Sequence, residues 1–390
     1  MRERSALEVF LTFLKLGLTS FGGPIAHIGY FREEIVTRRG WVDDAGYTDL
    51  VALCQFLPGP ASSKVGFALG LMRAGYWGGL AAWTGFTLPS AMLMTAFAYG
   101  TGSLNGPTGN GLLHGLKLVA VAIVAQAVWG MARTLCPDRE RASIAGVAAI
   151  IILFSTSALA QISVILIGGL AGLWLCRVGP AASSGSLQMP VSRRVAIIAL
   201  LAYFITLAAL PVLGIFSPTA QLFDAFYRAG ALVFGGGHVI LPLLKNAFVG
   251  PGWVSQDMFL AGYGAAQAMP GPLFTFAAYL GAVAAPAPNG VTGAFLGIIA
   301  IFLPSMLVLL GALPFWDRFR RRTNALASLR GVNAAVVGLL GAALYNPLWT
   351  GSIKSPGDVA IALACFILLI CWRVPPLLVV ILGAAAGVLV

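Results

Sequence analysis

Charge is what this chain has least of. Only 9% of its 390 residues are Asp, Glu, Lys or Arg, against roughly 25% in soluble domains, so a water-facing surface of ordinary size cannot be built. Cysteine is sparse as well. Cys54, Cys136, Cys176, Cys365 and Cys371 show no CxxC spacing, which argues against both a zinc site and a disulfide framework. No GxxxxGK[ST] phosphate loop is present, so ATP does not power the chain directly. There is no HExxH, DxxD pair or GxSxG elbow on which to hang catalysis. Neither an enzyme, a metal nor any other cofactor is therefore expected. The formal net charge of +11 does not point to nucleic acid, because no Lys/Arg stripe is interleaved with aromatics. The N-terminal stretch MRERSALEVFLTFLKLG lacks a small-residue cleavage site and reads as a first membrane segment.

What the chain does have is apolar length. It is 59% hydrophobic, with a mean hydropathy of +0.90. Runs such as Gly111–Met131, Val195–Phe216 and Ile361–Leu389 approach or exceed the roughly 20 residues a helix needs to cross a bilayer core. Without the alternation of a β-barrel these runs are helices. The predicted class is an all-α polytopic membrane protein, with membrane lipid around it.

The chain is also written twice. Phe21-Gly22-Gly23 recurs as Phe234-Gly235-Gly236, and Gln55-Phe56-Leu57-Pro58-Gly59-Pro60 as Gln267-Ala268-Met269-Pro270-Gly271-Pro272. Trp41 answers Trp253, Leu88-Pro89-Ser90 answers Leu303-Pro304-Ser305, and His114-Gly115-Leu116-Lys117 answers Arg330-Gly331-Val332-Asn333. Val164–Gly168 answers Val379–Gly383 near the end of each half. The order is constant and the offset nearly so. Residues 1–178 are read as the first repeat and 219–390 as the second. Between them, 179–218 holds a polar linker and one extra transmembrane helix near 195–213.

Within the first repeat, helical stretches at 7–20 and 24–37 are broken by Gly22 and Gly23. Two short helices at 45–57 and 61–74 meet at Pro58-Gly59-Pro60 and are read as a re-entrant hairpin, since each covers only about 20 Å. Four longer helices are expected near 76–100, 110–133, 143–158 and 161–177. The second repeat follows at 219–249, 255–284, 291–314, 331–349, 358–373 and 375–390. Basic loops set orientation. Arg32, Arg38 and Arg39 face a lone Lys245 in the other copy, and Arg133, Arg139 and Arg141 face Lys354. The uncharged loop 101–110 faces Arg318, Arg320, Arg321, Arg322 and Arg330. Every comparison changes sign, so the copies are expected to be inverted, with a cytoplasmic N-terminus. This is a plan of secondary transporters.

An inverted repeat with broken helices puts its site where the breaks of both halves meet. The breaks are FGGP at 21–24, FGGGH at 234–238 and the two PGP turns. Glycine admits close backbone approach, and a helix start after proline offers free N–H groups and a positive dipole end to an anion. The substrate-binding candidates are Gly22, Gly23, Gln55, Gly59, Ser62, Ser63 and Lys64 in the first copy, with Gly235, Gly236, Gln267, Gly271 and Thr275 in the second. Kinks that merely ease helix packing are the structural alternative. Lys64 has no counterpart, and one asymmetric cation suggests one anion; snorkelling to an interface is its alternative. His27, His238 and Asp49 are candidates for ion coupling, with packing histidines the bland reading. Glu33 and Glu34 read rather as a loop end, and Asp224 with Arg228 as an i,i+4 pair.

The motifs FGGP, QFLPGP and TLPS, repeated as FGGG, QAMPGP and FLPS, resemble those of the chromate ion transporter family. The likeness covers nearly the whole chain and matches the long, fused two-domain members. It implies efflux of chromate, a tetrahedral dianion, across the cell (inner) membrane, conferring chromate resistance and kinship with sulfate chemistry. A proton or other ion gradient is the expected drive. Sulfate or another oxyanion, a passive anion channel, and a homodimer remain open alternatives.

Overall fold

The computed structural model describes residues 5–101, 106–155, 157–176, 190–234, 237–316 and 322–389. Helices dominate it, and none of the described residues forms a strand. Helix α1 (Ala6–Thr19) leads to α2 (Gly23–Phe31), which continues as a π-helical turn, Arg32–Arg38. Then follow α3 (Asp44–Phe56) and α4 (Ala61–Thr101), the latter interrupted at Ala74 and Gly75. Next come α5 (Pro107–Leu135), α6 (Arg139–Phe154), α7 (Ala158–Leu175) and the extra helix α8 (Arg193–Phe216). The second copy comprises α9 (Pro218–Leu232), α10 (Ile240–Phe248), α11 (Gln256–Ala266), α12 (Phe276–Val283) and α13 (Gly290–Ala312). It ends with α14 (Thr323–Ala343), α15 (Pro356–Ile370) and α16 (Pro376–Ala386).

The helix starts follow capping chemistry. The side chains of Asp43, Asp138, Ser192, Ser217 and Ser255 each accept a first-turn backbone N–H, satisfying donors a helix start leaves orphaned. Ser355 and Asp358 form a full capping box on α15.

Several expectations are redrawn. The stretch 24–37 changes from α to π winding at Arg32. The stretch 219–249 divides into α9, a single 3-10 turn at Gly237–Val239, and α10. Helices α6, α7 and α15 start earlier than expected, at Arg139, Ala158 and Pro356, directly after the capping residues Asp138, Ser157 and Ser355, and α16 is short, with 11 residues from Pro376. Among the described residues, five helical segments are long and apolar enough to cross a membrane: Ala61–Thr101, Pro107–Leu135, Arg193–Phe216, Gly290–Phe315 and Thr323–Ser352. Phe154, Trp174 and Phe216 are 89%, 80% and 81% exposed, a surface suited to a membrane interior and not to water. Most of the linker and Arg318, Arg320 and Arg321 lie outside the described residues.

Two helical hairpins start the first copy. Glu8, at the start of α1, pairs with Arg73 at 3.0 Å and with Arg39 at 3.6 Å. Arg39 also pairs with Glu34 at 2.9 Å, and Lys15 with Glu34 at 3.2 Å. The guanidinium groups of Arg39 and Arg73 both lie over the Trp41 ring. One ionic cluster thus gathers the start of α1, the end of the π-helical turn and the end of the first segment of α4. Both helix pairs therefore leave this level and return to it. Glu33 and Glu34 belong to this cluster and hold its basic residues.

The two copies then embrace. Helix α5 packs against α15 and α16 of the second copy, while α14 packs against α6 and α7 of the first. Small residues set both crossings, as membrane helices without a hydrophobic drive require. Gly172 meets Gly331, and Gly115 meets Gly383 and Ala384. Helix α8 lies against α9 and α13.

Candidate functional site

Each proline turn is clasped by the other copy. The Gly59 N–H donates to the Val233 carbonyl at 2.7 Å, and the Gly271 N–H donates to the Ser20 carbonyl at 2.8 Å. Val233 and Ser20 are the residues directly before the two Phe-Gly-Gly breaks. Gly59 and Gly271 have φ of +96° and +89°, a region that disfavours residues with a Cβ. Close approach forbids one independently. A Cβ on Gly59 would collide with the Ser305 side chain, and one on Gly271 would lie 3.0 Å from both Ser90 Oγ and the Phe86 carbonyl. Ser90 and Ser305 belong to the repeated Leu-Pro-Ser motifs. Pro24 of the first glycine break also approaches Gly237, at 3.4 Å from its would-be Cβ. The three repeated motifs of each copy thus meet those of the other.

The polar groups at this meeting are unequal. His27 is 1% exposed, its Nδ1 lies 3.3 Å from Ser62 Oγ, and its ring packs edge-on against Phe86 at 5.3 Å. Its Nε2 has no partner, and neither have Ser20 Oγ, Ser63 Oγ and Thr87 Oγ1, all buried. The second copy offers less: Val233, Ile240 and Phe302 stand at the repeat positions of Ser20, His27 and Thr87, and the polar groups of Thr275, Ser305 and His238 are engaged. Thr275 Oγ1 donates to the Pro272 carbonyl at 2.8 Å, Ser305 Oγ to Phe302 at 2.7 Å, and His238 Nδ1 meets the Tyr263 hydroxyl at 2.9 Å. Gln267, half-buried, keeps a free Nε2. A buried polar atom without a partner costs about 1–3 kcal/mol. Four on neighbouring turns of one copy make a region able to hold a hydrogen-bonding ligand.

Lys64 is fully buried, and its Nζ donates to the Leu57 carbonyl at 2.5 Å and the Pro58 carbonyl at 2.9 Å. The ammonium therefore sits at the negative, C-terminal end of α3 and fastens the turn. Burial overturns the snorkelling alternative. Gln55 is exposed on α3, and Asp49 lies half-buried two turns before the tip. Gly22 is exposed and Gly23 half-buried, with open space beside Gly23. Gly235 and Gly236 lie outside the described residues. The Asp224–Arg228 pair forms at 3.1 Å.

Sequence reasoning passed over Ser20 and Thr87, although each adjoins a repeated motif. It also used His114 and Lys117 only as landmarks. In the fold Lys117 pairs with Asp257 at 2.9 Å and His114 with Asp358 at 2.6 Å, joining α5 to α11 and α15. A His and a Lys three apart on an apolar helix were the available signal. Away from the spanning segments, hydrogen bonding to Arg32 holds the Asp44 carboxyl below its usual range. The Arg141 side chain does the same for Asp138.

The chromate transporter family model matches residues 7–173 and again 220–388. The chromate transport protein of Pseudomonas aeruginosa is 29% identical over 86% of this chain and 79% of its own length. A probable chromate transport protein of Synechococcus elongatus is 28% identical over 97% and 93%. The chromate transport protein of Cupriavidus metallidurans is 25% identical over 86% and 81%. No solved structure matches significantly. These relatives are transporters and not enzymes. Two matches to one family model, covering nearly the whole sequence, make this chain a two-domain member of the chromate transporter family.

Proposed function

We propose that the chain exports chromate from the cytoplasm through the region where the four helix breaks meet, and so confers chromate resistance. The observation that carries this reading is the group of four unpartnered buried atoms in the first copy: Ser20 Oγ, His27 Nε2, Ser63 Oγ and Thr87 Oγ1. Hydroxyl donors, together with the N-terminal amides of α4, suit a tetrahedral dianion without direct ligation by a lysine. The Lys64 ammonium, one residue from Ser63, adds positive potential while its hydrogen bonds hold the turn. Gly59, Gly271, Ser62 and Gln267 line the approach, and Thr275 supports the second turn. His27 is the preferred coupling group, since His238 is engaged with Tyr263.

The loop charges support an inverted pair of copies in the inner membrane. The N-terminus and the ionic cluster of Glu8, Arg39 and Arg73 are then cytoplasmic, and lipid surrounds the exposed apolar faces. Sulfate, alike in shape and charge, is the second candidate substrate. Labelled chromate and sulfate are to be followed in everted and right-side-out vesicles, with and without a pH gradient. Chromate accumulation in everted vesicles that rises with an inside-acid gradient is the expected result. Flux that follows only the electrical potential would mean a passive channel. Sulfate moving in preference to chromate would replace the substrate.

A further inference from the structure

The two copies share one sequence plan but not one packing. In the second copy, α11 lies along α5. Its contact face carries Asp257, Leu260 and Gly264. Asp257 pairs with Lys117 at 2.9 Å, Leu260 is fully buried, and Gly264 sits so close to the Leu116 carbonyl that no Cβ fits. The residues at the same repeat positions on α3, 212 earlier, are Ala45, Thr48 and Ala52. Thr48 and Ala52 are exposed where Leu260 and Gly264 are buried, and Gln55 one turn on is exposed too; Ala45, like Asp257, is exposed but has no ion pair to make. Among the described residues, the substantial contacts of α3 are with α4 and the π-helical turn alone. The counterpart of α5 is α14, where Val332 and Asn333 stand at the positions of Leu116 and Lys117. Both are half-buried, and Asn333 Oδ1 is enclosed without a partner.

One hairpin arm is thus closed on the other copy's long helix, and its equivalent is not. We propose that the chain alternates between this arrangement and its exchanged form. There, α3 closes on α14 through Ala45, Thr48 and Ala52, while α11 leaves α5 and the Lys117–Asp257 pair opens. Lys117 and Asp257 are the latch of the present state, and Asn333 is the neutral receiving position of the other. Such exchange of two conformations between two repeats moves a central site from one side to the other by rigid packing changes. Small residues at 52 and 264 fit the close crossing each arm must make in turn.

The inference rests on the inverted two-copy arrangement proposed above and not on which ion is carried, so its first test needs no substrate. Thr48→Cys and Leu260→Cys are introduced singly into the full chain in native membranes. Their maleimide labelling rates are read peptide by peptide, with the exposed native Cys371 as reference. Thr48→Cys should label fast and Leu260→Cys slowly. Adding Lys117→Asp, which repels Asp257, should slow the first and speed the second, each about fivefold. The charge-swapped pair Lys117→Asp with Asp257→Lys should restore both rates. A rise at Leu260→Cys with no fall at Thr48→Cys would mean local loosening and would overturn the exchange. As a second arm, Ala52→Cys with Val332→Cys should cross-link in membranes and block flux until reduced. Failure of this pair to cross-link while transport proceeds would overturn the proposal even if chromate transport stands.

Discussion

Replacing Lys64 by methionine separates two roles that the sequence alone leaves merged. The side chain is fully buried, and Nζ makes two bonds, at 2.5 and 2.9 Å, to the carbonyls of Leu57 and Pro58. Methionine keeps the volume and removes the donors. Two charge-assisted hydrogen bonds are worth roughly 1.5–3 kcal/mol each, but removing a buried ammonium recovers several kcal/mol of desolvation. A net loosening of the turn by about 2 kcal/mol is the expected balance. Because 1.4 kcal/mol is tenfold in an equilibrium, such loosening should open the turn about 30-fold more often. Cys54 is a native reporter. It is fully buried on α3, less than one turn before Leu57. Its labelling by a membrane-permeant maleimide should accelerate about 30-fold in Lys64→Met, while chromate flux falls. Lost flux with unchanged Cys54 labelling would refute the fastening role and return Lys64 to direct contact with the anion.

Other expectations follow from the same geometry. Ser63→Ala should raise the KM for chromate about 10- to 100-fold, the loss of a hydrogen bond to a charged group, in vesicle flux assays at matched expression. Thr275→Val should leave KM unchanged and lower stability by about 1 kcal/mol, because its hydroxyl serves Pro272. Gly59→Ala should lower the thermal midpoint in detergent through its φ of +96° and the overlap with Ser305. Adding Ser305→Gly should recover part of that loss, since it relieves the overlap and not the backbone strain. Asp138 caps α6 and is held below the ordinary carboxylate range by the Arg141 side chain. Its contribution is present above about pH 4 and fades as pH falls through the lowered folded value. The stability gap between wild type and Asp138→Asn should therefore close on acidification. The gap should stay under about 1 kcal/mol for so exposed a pair.

The breaks were legible because glycine and proline act locally. FGG and PGP dictate where helices stop, and the copies repeat them in order. Hydrogen-bond partners are not local. Ser63 and Thr275 match in the repeat, yet Thr275 turns back on Pro272 while Ser63 Oγ stays unpaired. The same limit hid Lys117, whose partner Asp257 lies 140 residues away. Conformational state is further still from the sequence. Helices α3 and α11 derive from one plan, but among the described residues α11 packs substantially on the opposing long helix and α3 does not, and no residue pattern announces that difference.

Lys64 illustrates how a duplicated site diverges without losing its architecture. The position equivalent to Lys64 in the second copy is Phe276, fully buried and packed against Phe259 and Tyr263 at 5.3 and 5.7 Å. Both residues hold a proline turn against the helix that precedes it. One does so by an ammonium on carbonyls at a helix C-terminus, the other by aromatic packing worth about 0.5–1.5 kcal/mol per pair beyond its burial. The apolar solution suffices for the fold, so stability alone does not require a cation in the first copy. A buried charge is retained in a membrane segment where it serves a function. Here it lies beside the copy whose hydroxyls are free. Transplanting phenylalanine to position 64 therefore tests fold and function apart. Tyr47 stands at the position of Phe259, but Val51 at that of Tyr263. The turn should thus loosen less than in Lys64→Met, with a smaller rise in Cys54 labelling, while chromate flux falls for want of positive potential beside Ser63. Retained flux in Lys64→Phe would leave the lysine as a fastener and nothing more.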